Sequence, residues 1–261
     1  MPEGDTVWLT ALRLDQALAG KVVTTFELRV PDLSLADRRG DTMGKVVARG
    51  KHLLMRFASG CTLHSHLRMD GAWWLSRTAA RPRGGPWHEI RVLIGNTDWL
   101  AAGYRVHDLA LVPHDEEHRL VGHLGPDLLG PDWDVAEAVR RLQRQPRRPI
   151  GEALVDQSNL AGIGNLYKAE TLFLRRVNPW TAVAAVPDVA ELVMTAHHLL
   201  HANRDHPQQS TTGLTARGSE HWVYRRAGQP CRRCGTPIAA AVQGAAPGQR
   251  VTWWCPRCQP A

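Results

Sequence analysis

The most constraining feature of this 261-residue chain lies near its end: two Cys-x-x-Cys knuckles, Cys231/Cys234 and Cys255/Cys258, with twenty residues between them. Each knuckle can offer two sulfurs to one tetrahedral ion, the ligand pattern of a four-thiolate zinc ribbon. Four unrelated core thiols or two disulfides would also use four cysteines, but neither needs this spacing. Four protein ligands close the coordination shell, so the ion is expected to hold the fold rather than activate water. The fifth cysteine, Cys61, stands far away in sequence, a usage that suits a reducing compartment. The residues between the knuckles read as a β-hairpin turning about Pro247 to Gln249, which puts Arg250 at or near its tip, with Trp253 and Trp254 supporting it. A guanidinium there could grip a phosphate with two bonds, although a lone exposed arginine is ordinarily just solvated.

The rest of the chain is long enough for two ordinary domains beside this module. A hydrophobic fraction of 43% excludes disorder, and 32 Lys plus Arg against 25 Asp plus Glu leave a formal charge of +7, which fits a polyanionic partner. No run approaches the roughly 18 apolar residues of a membrane span, and MPEGDTVW lacks a signal-peptide plan, so a cytoplasmic location is expected, nucleoid-associated if the source is bacterial. Asp5 or Thr6 can cap a first helix that carries Val7, Ala11, Leu14 and Leu18 on one face and ends at Gly20. From Val22 to about Val112, short β-branched and apolar runs predict an antiparallel sandwich, with SRTAARPRGGPW as a mobile hairpin tip. Beyond the turn-rich 118–131 segment the period becomes helical, over Asp134 to Gln143, Pro149 to Asp156, Gly164 to Arg175 and Asp188 to Asn203. Residues 210–226 have little periodicity and read as a flexible loop. The expected division is 1–122, 131–224 and 225–261, an α+β multidomain chain.

Three further segments could carry chemistry. In QSNLAGIGNLYKAE, residues 157–170, Gly162 and Gly164 suit a tight turn that aims backbone N–H groups and Asn165 at an anion. Out of context such a turn is more often a packing joint between helices. At the N-terminus, removal of Met1 would leave Pro2 with a free secondary amine, whose pKa near 7.7–8 keeps a useful fraction neutral and nucleophilic. Attack on a sugar C1′ would expel the base and leave an iminium, an electron sink for elimination, with Glu3 at hand to supply or relay protons. In most proteins such a start is merely frayed. The third segment places Lys51 behind a glycine turn in RGKHLL, and two histidines and Met69 in HSHLRMDG. Two histidines alone are no metal site, and Met69 would by default be core.

Taken in order, MPEGD, RGKHLL, HSHLRMDG, LGPDLL, DQSNLAGIGNLYKAE and CRRCG with QRVTWWCPRCQ resemble the formamidopyrimidine-DNA glycosylase and endonuclease VIII family across the whole chain. The opening MPEGD is similar to the endonuclease VIII branch, in particular to its actinobacterial-type members. The resemblance implies a β-sandwich, a helix-two-turn-helix domain and a zinc finger, with damaged double-stranded DNA, or single-stranded or bubble DNA, as partner of a monomer. Position by position it implies Pro2 as Schiff-base nucleophile, Glu3 as proton donor and Lys51 in β-elimination. Asn165, beside Gly164, and Arg250 become the phosphate-gripping pair, with Arg250 serving δ-elimination, and Met69 fills the gap left by the everted base. Cys231, Cys234, Cys255 and Cys258 take one structural zinc.

Two departures matter. Thr6 stands where many relatives carry a glutamate, so any proton relay assigned to that glutamate must be rerouted or absent, and the formamidopyrimidine branch's Arg-Arg-Phe-Gly support of the orphaned base is replaced by Gly103-Tyr104-Arg105-Val106-His107-Asp108. The missing aromatic wedge argues for oxidised pyrimidines or abasic sites over 8-oxoguanine. The function so implied is a bifunctional DNA glycosylase and abasic-site lyase of base excision repair. Its rival is a non-catalytic zinc-finger protein that marks damage or junctions, which would have no use for Pro2, Glu3 and Lys51. An RNA-associated zinc-ribbon protein would leave the N-terminus and the GIGN turn without purpose.

Overall fold

The computed structural model describes residues 2–261, which divide into two compact units, 2–123 and 124–261. The expectation that Met1 is removed lies outside the described residues.

The first unit opens with α1 (Gly4–Leu18). Val7, Ala11, Leu14 and Leu18 fall on one helical face and are buried, as their spacing requires. The helix begins earlier than the sequence suggests: Glu3, in extended conformation, is its N-cap, not Asp5 or Thr6, and no side chain caps it. Eight strands follow: β1 (Thr25–Leu28), β2 (Met43–Arg49), β3 (His52–Phe57), β4 (Cys61–His66), β5 (Ala72–Arg77), β6 (Ile90–Gly95), β7 (Trp99–Tyr104) and β8 (Asp108–Pro113). They form two antiparallel sheets, ordered β1-β6-β7-β5 and β2-β3-β4-β8. Phe26, Val92, Ile94 and Ala101 of the first sheet bury against Met43, Leu53, Met55, Phe57 and Leu63 of the second, beside the apolar face of α1. The rings of Phe26 and Phe57 meet edge-on at 5.8 Å. α1 is tied to each sheet by a polar bond, Val46 N to Asp15 Oδ1 at 2.8 Å and Asn96 Nδ2 to Ala17 O at 2.9 Å.

The basic tract after β5 is no hairpin tip. β5 and β6 lie on either side of β7, so residues 78–89 cross over that strand. The crossover is seated by glycines: a Cβ at Gly84 would stand 2.3 Å from the Trp74 ring, and one at Gly85 3.1 Å from Tyr104.

The second unit holds α3 (Val135–Gln143), α4 (Ile150–Val155), α5 (Asn165–Leu174) and α6 (Val189–Asn203), then the hairpin β9 (Ala239–Gln243) and β10 (Arg250–Trp254). A short helix, α2 (His118–Val121), precedes them within the first unit. Asp134 and Asp188 cap α3 and α6 by accepting from Ala136 N and Glu191 N, both at 2.8 Å. α5 is buried on every side from Asn165 to Phe173. Residues 210–226 form neither helix nor strand, yet they are pinned. The buried Glu170 carboxylate of α5 accepts Trp222 N at 2.7 Å, Val223 N and Tyr224 N at 2.8 Å each, and the Thr211 hydroxyl. The loop is therefore held from the core side rather than flexible. No helix among the described residues is long and apolar enough to cross a membrane.

Candidate nucleic-acid interface and metal centre

In the first unit, Pro2 is half-buried ahead of α1, and Glu3 is fully buried. The Glu3 carbonyl accepts Val7 N at 3.1 Å as the first helical bond. A carboxyl group at this point faces the positive end of the helix dipole. Asp5 is 1% exposed in the first turn, and Thr6 donates its hydroxyl to Asp5 Oδ1 at 3.5 Å.

Lys51 rides on the two-residue loop joining β2 to β3, closed by the Arg49–His52 pair. Gly50 takes φ 56°, which a glycine-first hairpin loop demands. Lys51 borders a histidine cluster. His52 Nδ1 is 2.7 Å from His64 Nε2, and the His66 ring centroid is 4.9 Å from that of His52. Burial, with the neighbouring histidines adding, pushes His52 down to about 3. Burial likewise lowers His66 to about 4, helped by Arg68 and Lys51 against Asp108. These rings are neutral beside the lysine at neutral pH. Met69 caps the turn after β4 and is 64% exposed, so it is not core.

In the second unit, Gly164 is the N-cap of α5 and Asn165 its first residue. Asn165 Nδ2 donates to Val251 O of β10 at 2.8 Å. An amide nitrogen has a second hydrogen, so it can hold the strand and still donate to an anion. Arg250 opens β10 opposite Gln243, at the edge of the 244–249 turn. Its Nη1 donates back to Gly248 O and Gln249 O at 3.1 and 2.9 Å, which leaves the outer edge of the exposed guanidinium for a ligand. The chain thus brings Asn165 and Arg250 together through adjacent residues of one strand.

Sequence reasoning missed Lys168. It is 1% exposed and donates Nζ to Thr252 Oγ1 at 2.6 Å, the next β10 residue but one from Arg250. Thr252 passes its own proton to Gln243 Oε1 at 3.1 Å. A cavity of about 270 Å³ lies there, lined among others by Arg148, Glu152, Lys168, Gln243 and Arg250. The helical spacing of Asn165 and Lys168, i and i+3, was the available signal that both face one neighbour.

The four knuckle cysteines converge. Their sulfurs all lie within 4.8 Å of one another, with Cys231 to Cys258 at 3.9 Å and Cys234 to Cys255 at 3.4 Å. Tetrahedral zinc with bonds of about 2.3 Å needs sulfurs about 3.8 Å apart, so the donor set fits. Burial first, and the crowded thiols next, raise Cys258 to about 12 and raise Cys255, while Thr236 holds Cys234 down at about 6. Such crowding opposes four bare thiolates, and a divalent cation reverses it. Tyr224 and Trp180 brace the hairpin edge-on, at 4.9 Å from Trp253 and 4.6 Å from Trp254.

Comparison with known proteins agrees along the chain. Residues 1–104 match the formamidopyrimidine-DNA glycosylase N-terminal domain, 124–202 the formamidopyrimidine-DNA glycosylase H2TH domain, and 228–261 the zinc finger found in FPG and IleRS. The chain is 52% identical over 261 residues to the "Probable endonuclease 8 2" of Streptomyces coelicolor, spanning 99% of this chain and 94% of that one. It is 42% identical over 261 residues to the "DNA-(apurinic or apyrimidinic site) lyase Nei2" of Mycolicibacterium smegmatis, spanning 100% of both. Among solved structures, the Lactococcus lactis Fpg in complex with DNA containing an abasic site has TM-score 0.80 at 24% identity, covering 99% of this chain and 100% of that one, a likeness of fold.

Proposed function

Because the chain belongs to the formamidopyrimidine-DNA glycosylase and endonuclease VIII family, we propose that it is a DNA glycosylase and abasic-site lyase of base excision repair, acting through Pro2 on oxidised bases, pyrimidines above all. With Met1 removed, the Pro2 nitrogen attacks C1′ of an everted nucleotide. The glycosidic bond breaks and the base leaves with a proton supplied through Glu3, whose buried place at the head of α1 sets it beside the nucleophile in sequence. Cleavage of the C1′–O4′ bond, with a proton passed to O4′ through Glu3, opens the sugar ring and leaves the Pro2–C1′ iminium, which acidifies the C2′ proton. Loss of the C2′ proton expels the 3′ phosphate, with Lys51 serving this step, and loss of the C4′ proton expels the 5′ phosphate, with Arg250 beside it.

Asn165 and Arg250 hold the backbone phosphate. The observation that carries this reading is the Asn165–Val251 bond, which locks the donor amide to the strand that begins with Arg250. Gly164 lets the backbone approach, and Met69, exposed at its turn, fills the vacated stack. The zinc bound by Cys231, Cys234, Cys255 and Cys258 keeps the hairpin folded and takes no part in bond breaking. We divide the work as 1–122 for catalysis, 131–224 for DNA binding and 225–261 for the finger. We assign the substrate as damaged duplex, with single-stranded and bubble DNA as further forms, and the protein as a cytoplasmic, nucleoid-associated monomer.

The test is covalent. Incubated with abasic-site DNA and borohydride, the processed protein should give a trapped adduct, and Pro2→Gly should lose it. Tight binding with neither adduct nor strand scission would establish the non-catalytic damage-binding alternative instead.

A further inference from the structure

Two turns of the first unit are buckled to each other by reciprocal ion pairs, and Met69 stands on one of them. Arg68, in the turn after β4, donates Nε to Asp108 Oδ2 at 2.8 Å. Arg105, in the turn after β7, donates Nε to the Asp70 carbonyl at 3.1 Å and lies 3.3 Å from the Asp70 carboxylate. Each turn therefore sends an arginine to an aspartate of the other. Arg105 is anchored further to Glu89, by its backbone N to Glu89 O at 2.9 Å and by Nη1 to the carboxylate. Within the Met69 turn, Arg68 N donates to His66 Nδ1 at 3.0 Å, and Gly71 N to Leu67 O at 2.8 Å. A Cβ at Gly71 would stand 2.5 Å from the Leu67 carbonyl oxygen, so glycine alone closes the turn this way.

The backbone adds an independent sign. Arg68 and Arg105 have φ of 52° and 51°, a left-handed conformation that non-glycine residues keep only where the surroundings over-determine it. Both arginines of the buckle are in it. Such strain is spent at places where geometry must be set in advance. A methionine has three rotatable bonds, so a wedge built from it gains precision only from a rigid base.

We propose that Arg105, acting through Asp70, is a positioning residue that fixes the Met69 turn before DNA arrives, so that filling the gap in the stack does not also require ordering the turn. The proposal rests on the lyase reading above. Arg105 need touch neither the sugar nor the reacting amine.

The experiment compares one abasic site in a duplex, where the stack must be opened and filled, with the same site in a single strand, where it need not be. Single-turnover scission is measured for the wild type, Arg105→Ala, Arg105→Lys and Asp70→Asn, with 2-aminopurine opposite the duplex site to report insertion. Arg105→Ala should lower the ratio of duplex to single-strand rate about tenfold, because ordering is then paid during the reaction. Arg105→Lys should recover part of that ratio, and the aminopurine signal should fall in step with it. Asp70→Asn should lower the ratio about threefold, since the carbonyl acceptor stays while the charge is lost. The Asp70 side chain is 61% exposed, so this variant also serves if Arg105→Ala does not fold. An equal slowing on both substrates, or a duplex rate that no variant changes, overturns the proposal. A wild type that cleaves neither substrate overturns the lyase reading itself, and a wild type that cleaves both while the variants keep its duplex to single-strand ratio overturns the positioning role alone.

Discussion

Glu170→Gln changes one oxygen for an amide nitrogen of nearly the same size at a position that is 0% exposed, so its cost isolates what the charge does. Glu170 Oε1 accepts Val223 N and Tyr224 N, and Oε2 accepts Trp222 N and the Thr211 hydroxyl. Glutamine can keep its oxygen toward Val223 and Tyr224. Its NH2 then faces Trp222 N, two donors with no acceptor, while the Thr211 hydroxyl rotates to accept. One buried N–H is orphaned at about 1–3 kcal/mol. The two bonds that remain lose their ionic character, worth about 0.5 to 1 kcal/mol each. The sum is about 2–5 kcal/mol, and Glu170→Ala, which strands three N–H groups and leaves a cavity, should cost more, about 5 kcal/mol or above. Urea unfolding monitored by tryptophan fluorescence reads the stability, and limited proteolysis reads the loop. Cleavage within 204–226 should accelerate in both variants. Tyr224 also braces Trp253, so zinc should leave the hairpin faster when a chelator is added. A Glu170→Gln cost below about 1 kcal/mol, with unchanged proteolysis, would refute the reasoning, because the carboxylate would then hold no more than a neutral acceptor does.

Other outcomes follow from the same contacts. Arg250→Ala should weaken DNA binding evenly across sequences and lower the slope of log affinity against log salt by about 1, read by fluorescence anisotropy over a salt series. Stripping zinc, or Cys258→Ser, should unfold the hairpin and release the Asn165 and Lys168 bonds to β10, visible as faster amide exchange at Val251 and Thr252. The histidine cluster should make stability fall with acid. His52 and His66 titrate near 3 and 4 when folded against about 6.5 when unfolded, so the unfolded chain binds more protons in between. Their contribution is complete above pH of about 6.5 and declines as pH drops toward their folded values. A His52→Gln, His66→Gln double variant should show a flatter stability profile between pH 6.5 and 5 than the parent.

Local patterns carried much of the fold. Val7, Ala11, Leu14 and Leu18 announce α1 because a buried helix face repeats every three to four residues, and both knuckle pairs announce the metal because their spacing has few other uses. What stayed hidden is what depends on partners distant in sequence. The crossover of 78–89 looks like a hairpin tip until β7 is known to lie between β5 and β6. β8 lies within the 22–112 span, yet no alternation marks it off as a strand, since every residue from Asp108 to Val112 is half-buried. The 210–226 loop reads as flexible because nothing within it shows that a carboxylate some fifty residues earlier will bind three of its amides in succession.

The candidate site divides along the same line. Pro2, Asn165, Met69 and Arg250 could be singled out because each sits in a short motif, and a resemblance to a family attaches to motifs. Lys168 and Glu170 lie inside one of those motifs, yet their roles were invisible, since a helix interior gives no sign of what its polar residues will meet. The structure supplies the reason they are there. Asn165 and Lys168 reach β10 from one face of α5, and Glu170 reaches the loop that leads into the hairpin. A charged residue is buried only where its bonds offset its lost hydration, so the buried Lys168 and Glu170 each imply a fixed partner. α5 thereby ties strand, loop and finger together, and on the reading proposed above it is that tie, more than the exposed guanidinium alone, that would let Arg250 meet a phosphate at a set distance from Asn165.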